Sequence, residues 1–440
     1  MKAHLFKASY KMKAPLTVIL LVLSISNFAQ TPPTADPLVG LRLIASGKII
    51  HRFFDTSPVS PGGKMVALFR MPYENRSPRP GDQGEVVVID LATGQEKVVA
   101  TTSGWEAQLG ANVQWGGTDE ELLYNDVDTV LWKAYCVVLN TATGSKRRLE
   151  GTVFMASNDG KKLASYNLLS SPFAQVGYGV MVPASQRRHN IGPVNDDGIY
   201  ITDVATGKCK RIVTIQDIYK NTQPAISIST PQDFEYYCFQ VKWNPQGTRL
   251  LTTVQWAPIG GGNRRRVVIT MKPDGSDLRT AVTAEQWARG GHHINWMPDG
   301  ERVSMNLEVD DDPMLELISV KYDGTGMKTV FEPGSGHPSF HPKGLPLIVT
   351  DAYPNEPITA KNGTVPIRLL FTETGNEIPA ATVYVSNQSG EFRIDPHPAW
   401  DRTGRYVVFN GFTNNTRCVY LIDLAKIVEE TKPKKKQGNP

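Results

Sequence analysis

The chain has 440 residues, a formal net charge of +4, 40% hydrophobic residues, 38 glycines and 31 prolines. That length and apolar content support a sizeable core, and the abundance of turn formers favours a single all-β propeller or barrel over a helical protein. The charge is small and no basic stripe is interleaved with aromatics, which gives no ground for a nucleic-acid partner.

In chain order the first feature is an address. Lys11 and Lys13 flank Met12, an equally good start, and precede an apolar run, Ala14 to Leu23, that ends in SISNFAQTPP. A basic segment, a short apolar stretch and a small residue near Ala29 are the layout of a secretory signal peptide. The run is short for a spanning helix, and no cysteine follows it to take a lipid. Residues 1–30 are therefore expected to be a signal peptide cleaved near Ala29 or Gln30, and the mature protein to be periplasmic or secreted, monomeric and without a membrane anchor. Residues 31–48 read as a linker. At the other end Lys432 to Lys436 in TKPKKKQGNP reads as part of a solvated basic tail over 428–440.

Between these ends the sequence repeats. SPVSPGGKMVAL, NVQWGGTDEELLY, VFMASNDGKKLASY, QVKWNPQGTRLLTT, HINWMPDGERVSMN, HPSFHPKGLPLIVT and HPAWDRTGRYVVFN each join a short strand to another through a Gly- or Asp-centred turn. Their anchor residues are Val59, Trp115, Ala156, Trp243, Trp296, Phe340 and Trp400. Second hairpins recur between anchors, as in VVVIDLATGQEKVV, CVVLNTATGSKRRL and IYITDVATGKCKRI, where alternating apolar residues lead into a turn from Asp or Asn to Thr-Gly. Four strands per repeat and seven repeats predict an all-β, seven-bladed β-propeller of four-stranded antiparallel blades over residues 49–427. The repeat resembles the TolB-like, PD40-type propeller unit, whose consensus centres on a Trp-Ser-Pro-Asp-Gly turn.

The widest spacing lies between Ala156 and Trp243 and includes GYGVMVPASQRRHNIGPVNDDG (177–198), with Tyr178, Arg187, Arg188 and His189. A long polar insertion on a rigid scaffold is a place for binding and catalytic residues, or a neutral elaboration. Cys136, Cys209, Cys238 and Cys418 form neither a disulfide framework nor a CxxC metal knuckle and are expected to be buried free thiols.

Blade equivalence sharpens the histidines. The residue three positions before each anchor is Thr56, Asn112, Val153, Gln240, His293, His337 and His397. Residues at one register of a propeller form a ring around its axis, and three consecutive blades place histidine there although the chain has only eight. Three imidazoles with an open position suit a divalent ion, Zn or Mn first and Ca as a further candidate; the alternative is a hydrogen-bonded histidine ring without metal. His292, next to His293 on a strand, is expected to point the opposite way. His341 reads as a turn residue and His51 as part of ring closure, while Asp351 and Asp395 are placed to orient ring imidazoles.

A TolB-like propeller with a leader and a histidine cluster is similar to the oligogalacturonate lyases and to the propeller-type ulvan lyases. The stretches that carry the second likeness are HRFFDTSPVSPGGKMVALFRMPYENRSPRPGDQGEVVVIDLATG, YNDVDTVLWK, GYGVMVP and NDDGIYITDVATG. The resemblance implies β-elimination on an anionic, uronic-acid-containing polysaccharide or oligosaccharide, with a divalent ion held by three His and a Gln: Gln240, His293, His337 and His397. The ulvan-lyase resemblance further implies a histidine pair on early blades with a Tyr and an Arg. Tyr178 and Arg188 match the last two, but the pair falls near Asn112 and Lys133, so that Tyr178, His189 or Lys133 must carry proton transfer, with Tyr178 and His189 favoured, or activity is altered or lost. Asn112, Arg187 and Arg264, with Arg265 nearby, are the expected substrate contacts. Two other functions stay open: a non-catalytic periplasmic propeller that binds a glycan or a protein, and a hydrolase using Asp126 and Asp128.

Overall fold

The computed structural model describes residues 33–35, 39–309, 314–354, 356–360, 362–386 and 389–432. The expected signal peptide lies outside the described residues, as do the tail residues 433–440. Seven antiparallel sheets follow one another along the chain, so the protein is a seven-bladed β-propeller of four-stranded blades, with a fifth strand on the sixth. The first blade comprises Ile49–Ile50, Met65–Arg70, Gly84–Asp90 and Glu96–Thr102; the fourth comprises Phe234–Trp243, Leu250–Pro258, Arg265–Met271 and Arg279–Val282. Helices are short, and none among the described residues is long and apolar enough to cross a membrane.

The recurring turns explain the recurring hairpins. Asp90, Asn140 and Asp203 each accept the backbone N–H of the threonine three residues on, at 2.8 Å. The glycine that follows each threonine has φ between 72° and 76°, a conformation that side chains with a Cβ rarely adopt. Blades pack face to face, so their middle strands are buried on both sides: Leu250–Pro258 is buried over its first seven residues.

Six of the seven anchors end the innermost strand of a blade, and Val59 bridges to Val66 in the same position. The tryptophan anchors tie each blade to the one before. Trp115 Nε1 donates to Pro58 O at 2.9 Å, Trp296 Nε1 to Lys242 O at 3.1 Å and Trp400 Nε1 to Ser339 O at 3.1 Å. In each case the acceptor immediately precedes the anchor of the preceding blade. Trp243 breaks the pattern: its Nε1 is buried with no partner, opposite the blade whose anchor is only Ala156.

The stretch expected to be a linker closes the ring instead. Gly40–Ser46 pairs with Thr416–Asp423 as the outer strand of blade seven, and Thr34–Ala35 pairs with Asn376–Tyr384 on blade six. After Trp400 the described residues supply only two further strands, Tyr406–Thr413 and Thr416–Asp423, leaving an edge that another strand must cover. The tail expected from 428 begins inside a helix, Ala425–Thr431, whose Ile427 is buried. All four cysteines are unpaired, and Cys209 alone is not fully buried.

Between Ile50 and Val59 the chain leaves the sheet and fills the channel. Phe53 and Phe54 are 0% and 1% exposed. Behind them Asp55 pairs with Lys242 at 3.0 Å and with Arg52 at 2.7 Å.

Replacing Trp296 or Trp400 by Phe removes an indole–carbonyl hydrogen bond between blades and is expected to cost about 0.5–1.5 kcal/mol. Trp243→Phe removes a donor that bonds to nothing and is expected to cost less. Urea unfolding of the three variants checks this; equal losses would show that the indole links are not what distinguishes them.

Candidate functional site

The site begins with a backbone conformation. On a regular strand His292 and His293 would face opposite ways, but His293 has φ 61° and the pairing with Arg302–Glu308 slips between His292 and Asn295. Both rings therefore turn to one side, with centroids 4.5 Å apart and their Nδ1 atoms at 2.8 Å. This corrects the expectation that His292 points away. The same left-handed conformation occurs at Asn112 (53°), Gln240 (58°) and His397 (50°), the equivalent positions of blades two, four and seven. A non-glycine residue held there costs about 1–2 kcal/mol. In blade six Gly336 takes φ 60° one position earlier, where a Cβ would lie 2.1 Å from Asp351 O.

These turns bring the imidazoles together. The rings of His293 and His337 are 3.7 Å apart and those of His337 and His397 4.3 Å apart, all lying against Phe53. His337 Nδ1 lies 2.9 Å from Asp351 Oδ1, and its Nε2 has no hydrogen-bond partner. That carboxylate–histidine pairing leaves a lone pair facing the cluster, the posture of a metal ligand. Both nitrogens of His397 lack hydrogen bonds, and Nε2 lies 3.7 Å from Asp395 Oδ2. One ligand atom each from His337, Asp395 and His397 falls within 4.8 Å of the others. Burial holds His293 and His397 well below the usual imidazole range and His292 at about 3. Neutral imidazoles beside a carboxylate are a donor set that fits Zn or Mn. Gln240 lines the adjoining cavity with His293, and Asp395, expected only to orient, is the near carboxylate.

That cavity, about 230 Å³, is also lined by Tyr178, Tyr353, Arg266 and Arg393. Arg393 Nε donates to Asp395 Oδ2 at 2.8 Å and its Nη2 to the Tyr178 hydroxyl at 3.4 Å. Burial pushes both phenols up, so Tyr178 holds its proton. Glu106 keeps the Tyr178 turn in place by accepting the Gly179 N–H, and Gly179 has no room for a Cβ, which would lie 2.4 Å from Leu168 O.

Other expected residues lie elsewhere. Asn112 is buried inside the fold, where it accepts from Arg52 at 3.1 Å and donates to Glu106 at 3.5 Å. The proton-transfer pair Tyr178 and His189 is not brought together. By residue 189 the insertion has run on to bridge Ile191 to Glu235, and His189 Nδ1 sits 3.0 Å from the Glu235 carboxylate with its ring on Phe173. Arg188 is an exposed partner of Asp196, and Arg187 reaches Met181 Sδ at 3.8 Å. Lys133 is exposed and opposite Asp128 across a hairpin. Arg264 donates to Phe173 O at 2.9 Å and to Ala174 O, and borders a separate hollow. Asp126 and Asp128 accept turn N–H groups and do not flank a common site. His341 is a turn residue, 3.1 Å from Gly404 O, and His51 spans blades one and seven, 3.3 Å from Pro396 O.

Solved structures provide the comparison. An oligogalacturonate lyase in complex with manganese superposes with a TM-score of 0.59 at 14% identity, covering 91% of this chain and 98% of that one. The fold is shared with oligogalacturonate lyases. A second such lyase, from Vibrio parahaemolyticus, gives 0.57 at 14% identity, covering 92% and 97%. The β-propeller domain of the Trilobed protease from Pyrococcus furiosus gives 0.50 at 11% identity, covering 88% and 100%; it is described as having an open velcro topology, whereas this ring is closed by Gly40–Ser46. No family model and no curated protein matches the sequence.

Tyr353, Arg393 and Arg266 were not among the sequence candidates. Part of the signal was there: Arg393, Asp395 and His397 alternate along one extended stretch, as do Asp351 and Tyr353.

Burial raises the Glu106 carboxyl to about 7, so the folded protein keeps a proton there that the unfolded chain releases near pH 4.3 (about the free-glutamate value). The associated stability is fully present below that value and is lost as pH rises through about 7. Glu106→Gln keeps an acceptor for Gly179 and is expected to lack this decline. Unfolding free energies of both proteins from acid to neutral pH measure the difference; parallel curves would contradict it.

Proposed function

We propose that the protein is a lyase cleaving a uronic-acid-containing oligosaccharide or polysaccharide by β-elimination, with a divalent ion, Mn or Zn, held by His337, His397 and Asp395 beside His293. The observation that carries this reading is the convergence of buried, unpartnered imidazole nitrogens with a carboxylate, next to a Tyr–Arg pair that lines the adjoining cavity. The shared fold supports it. When bound, the ion supplies a Lewis acid that offsets the negative charge of the substrate carboxylate.

Elimination breaks the C5–H and C4–O bonds and forms a C4–C5 double bond. The C5 proton passes to a base, the C–H electron pair becomes the double bond, and the departing C4 oxygen takes up a proton. Arg393 stands beside the cluster to bind the C6 carboxylate and stabilise the charge that develops on it. Tyr178, protonated and held by Arg393, is the donor to the leaving oxygen. His292 is the acceptor once the substrate carboxylate enters and offsets the burial that otherwise disfavours its imidazolium: among the described residues its Nε2 has no hydrogen bond, and its ring lines the cavity. The leader-like run over 11–30 supports action in the periplasm or outside the cell.

Incubation with polygalacturonate, ulvan and glycosaminoglycans, with manganese and with chelator, is expected to yield the ultraviolet absorbance of an unsaturated uronate only when metal is present. His397→Ala is expected to weaken manganese binding by at least about tenfold. Tyr178→Phe is expected to lower kcat by about 10²–10⁴ with little change in KM. Binding of uronates without any unsaturated product would instead favour a non-catalytic glycan-binding propeller, and product formation indifferent to chelator would remove the metal from the reading.

A further inference from the structure

Strand register places a second set of polar groups beside the histidine cavity. In blade four Tyr237 lies opposite Gln255, and Gln255 opposite Arg266, so the three share one side of the sheet. Two residues along the same side are Phe239 and Thr253, themselves partners. Phe239, Thr253 and Arg266 line the histidine cavity, while Tyr237 and Gln255 line the neighbouring hollow of about 250 Å³. One face of one blade thus passes from the first cavity into the second, with Arg266 and Gln255 meeting where they adjoin.

Two groups on that face have nothing to bind. Gln255 is 1% exposed, yet neither its amide nitrogen nor its oxygen makes a hydrogen bond. A buried amide left unpaired costs free energy, and native proteins rarely keep one without a purpose. The Arg266 guanidinium has no hydrogen bond or ion pair among the described residues; it lies 5.8 Å from the centre of the Trp287 ring. Arg393, which also lines the cavity, by contrast already has a carboxylate partner in Asp395. Desolvation, together with the like charge of Arg264, lowers the pKa of Arg266, so an anion brought to it is strongly favoured. The rings of Phe173 and Tyr237, stacked 5.7 Å apart, wall the hollow with apolar surface suited to a sugar face.

We propose that Arg266 and Gln255 form a binding subsite for a second acidic sugar unit, adjoining the unit engaged at the histidine cavity. Arg266 takes the carboxylate, and Gln255, able to donate and accept at once, takes ring hydroxyls. This assignment rests on the lyase reading for the class of ligand. It lays the saccharide outward along blade four and makes affinity depend on at least two consecutive uronates.

The test is calorimetric titration with mono-, di- and trigalacturonate, carried out in a Tyr178→Phe background so that binding is read without turnover. Affinity is expected to rise at least tenfold from the monomer to the longer sugars. Arg266→Met and Gln255→Leu are each expected to remove most of that gain, while monomer and manganese affinities stay within about twofold. Methyl-esterified trimer is expected to bind the Arg266→Met protein and its parent alike. Gln255→Leu is also expected to raise the urea midpoint, since it replaces an unpaired buried amide; that separates lost recognition from lost folding. Affinity independent of length, or variants that follow their parent at every length, would overturn the subsite. Length-dependent binding, lost in the variants, in a protein that forms no unsaturated product would sustain the subsite and end the lyase reading. Product formation with unchanged variants would do the reverse, and a protein that binds none of these sugars would overturn both.

Discussion

Lys242 has no exposure to solvent, and an ammonium taken out of water must be neutralised where it lies. Asp55 does this at 3.0 Å, the Ile294 carbonyl accepts a hydrogen bond at 2.6 Å, and Arg52 grips Asp55 from the other side. Burial pushes the Asp55 carboxyl up, but Lys242 and Arg52 together hold it below the usual carboxylate range. Losing one partner of such a pair typically costs about 3–5 kcal/mol, so the segment between Ile50 and Val59 has little freedom to leave the channel. Its two phenylalanines are the floor on which the histidines rest. An apolar floor denies His293 and His397 solvation of a positive charge, and that keeps these two neutral and able to offer lone pairs.

The cluster combines this floor with backbone strain. Four register positions hold left-handed conformations that their side chains disfavour, and three of them carry His293, His397 and Gln240. Such residues persist where the surrounding fold fixes them, and here that fold is a closed ring of blades joined by indole–carbonyl links. At the mouth the chemistry changes character. Arg393 and Tyr178 are fixed by each other and by Asp395, whereas Arg266 and Gln255 on the opposite wall are left without partners. One wall is preorganised internally, and the other holds polar groups that the fold itself does not satisfy.

The fold was legible because its signal is periodic: seven anchors, each followed by a turn, survive any single irregular residue. Blade register alone also sets His293, His337 and His397 on one ring. It failed at His292 because strand alternation assumes a regular backbone, and a positive φ at a histidine is invisible in composition or spacing. It failed at 31–48 because a strand that pairs with the far end of the chain shows only weak local pattern; of Gly40–Ser46 only Ala45 is buried. The insertion misled for a related reason. Tyr178 and His189 are close in sequence, but the loop between them gives them different partners, Arg393 for one and Glu235 for the other, and nothing in the run Arg264 to Arg266 distinguishes its third arginine.

The outer strand of blade seven precedes the whole of blade one in the chain, and its partner follows almost everything else. The two ends must therefore meet before the seventh sheet exists, a loop closure spanning nearly the entire described chain. His337 and His397 belong to the last two blades, so no nascent chain that stops short of them possesses the assembled cluster. Assembly of the ring is thus a checkpoint, and the proposed ion site exists only once the polypeptide has passed it.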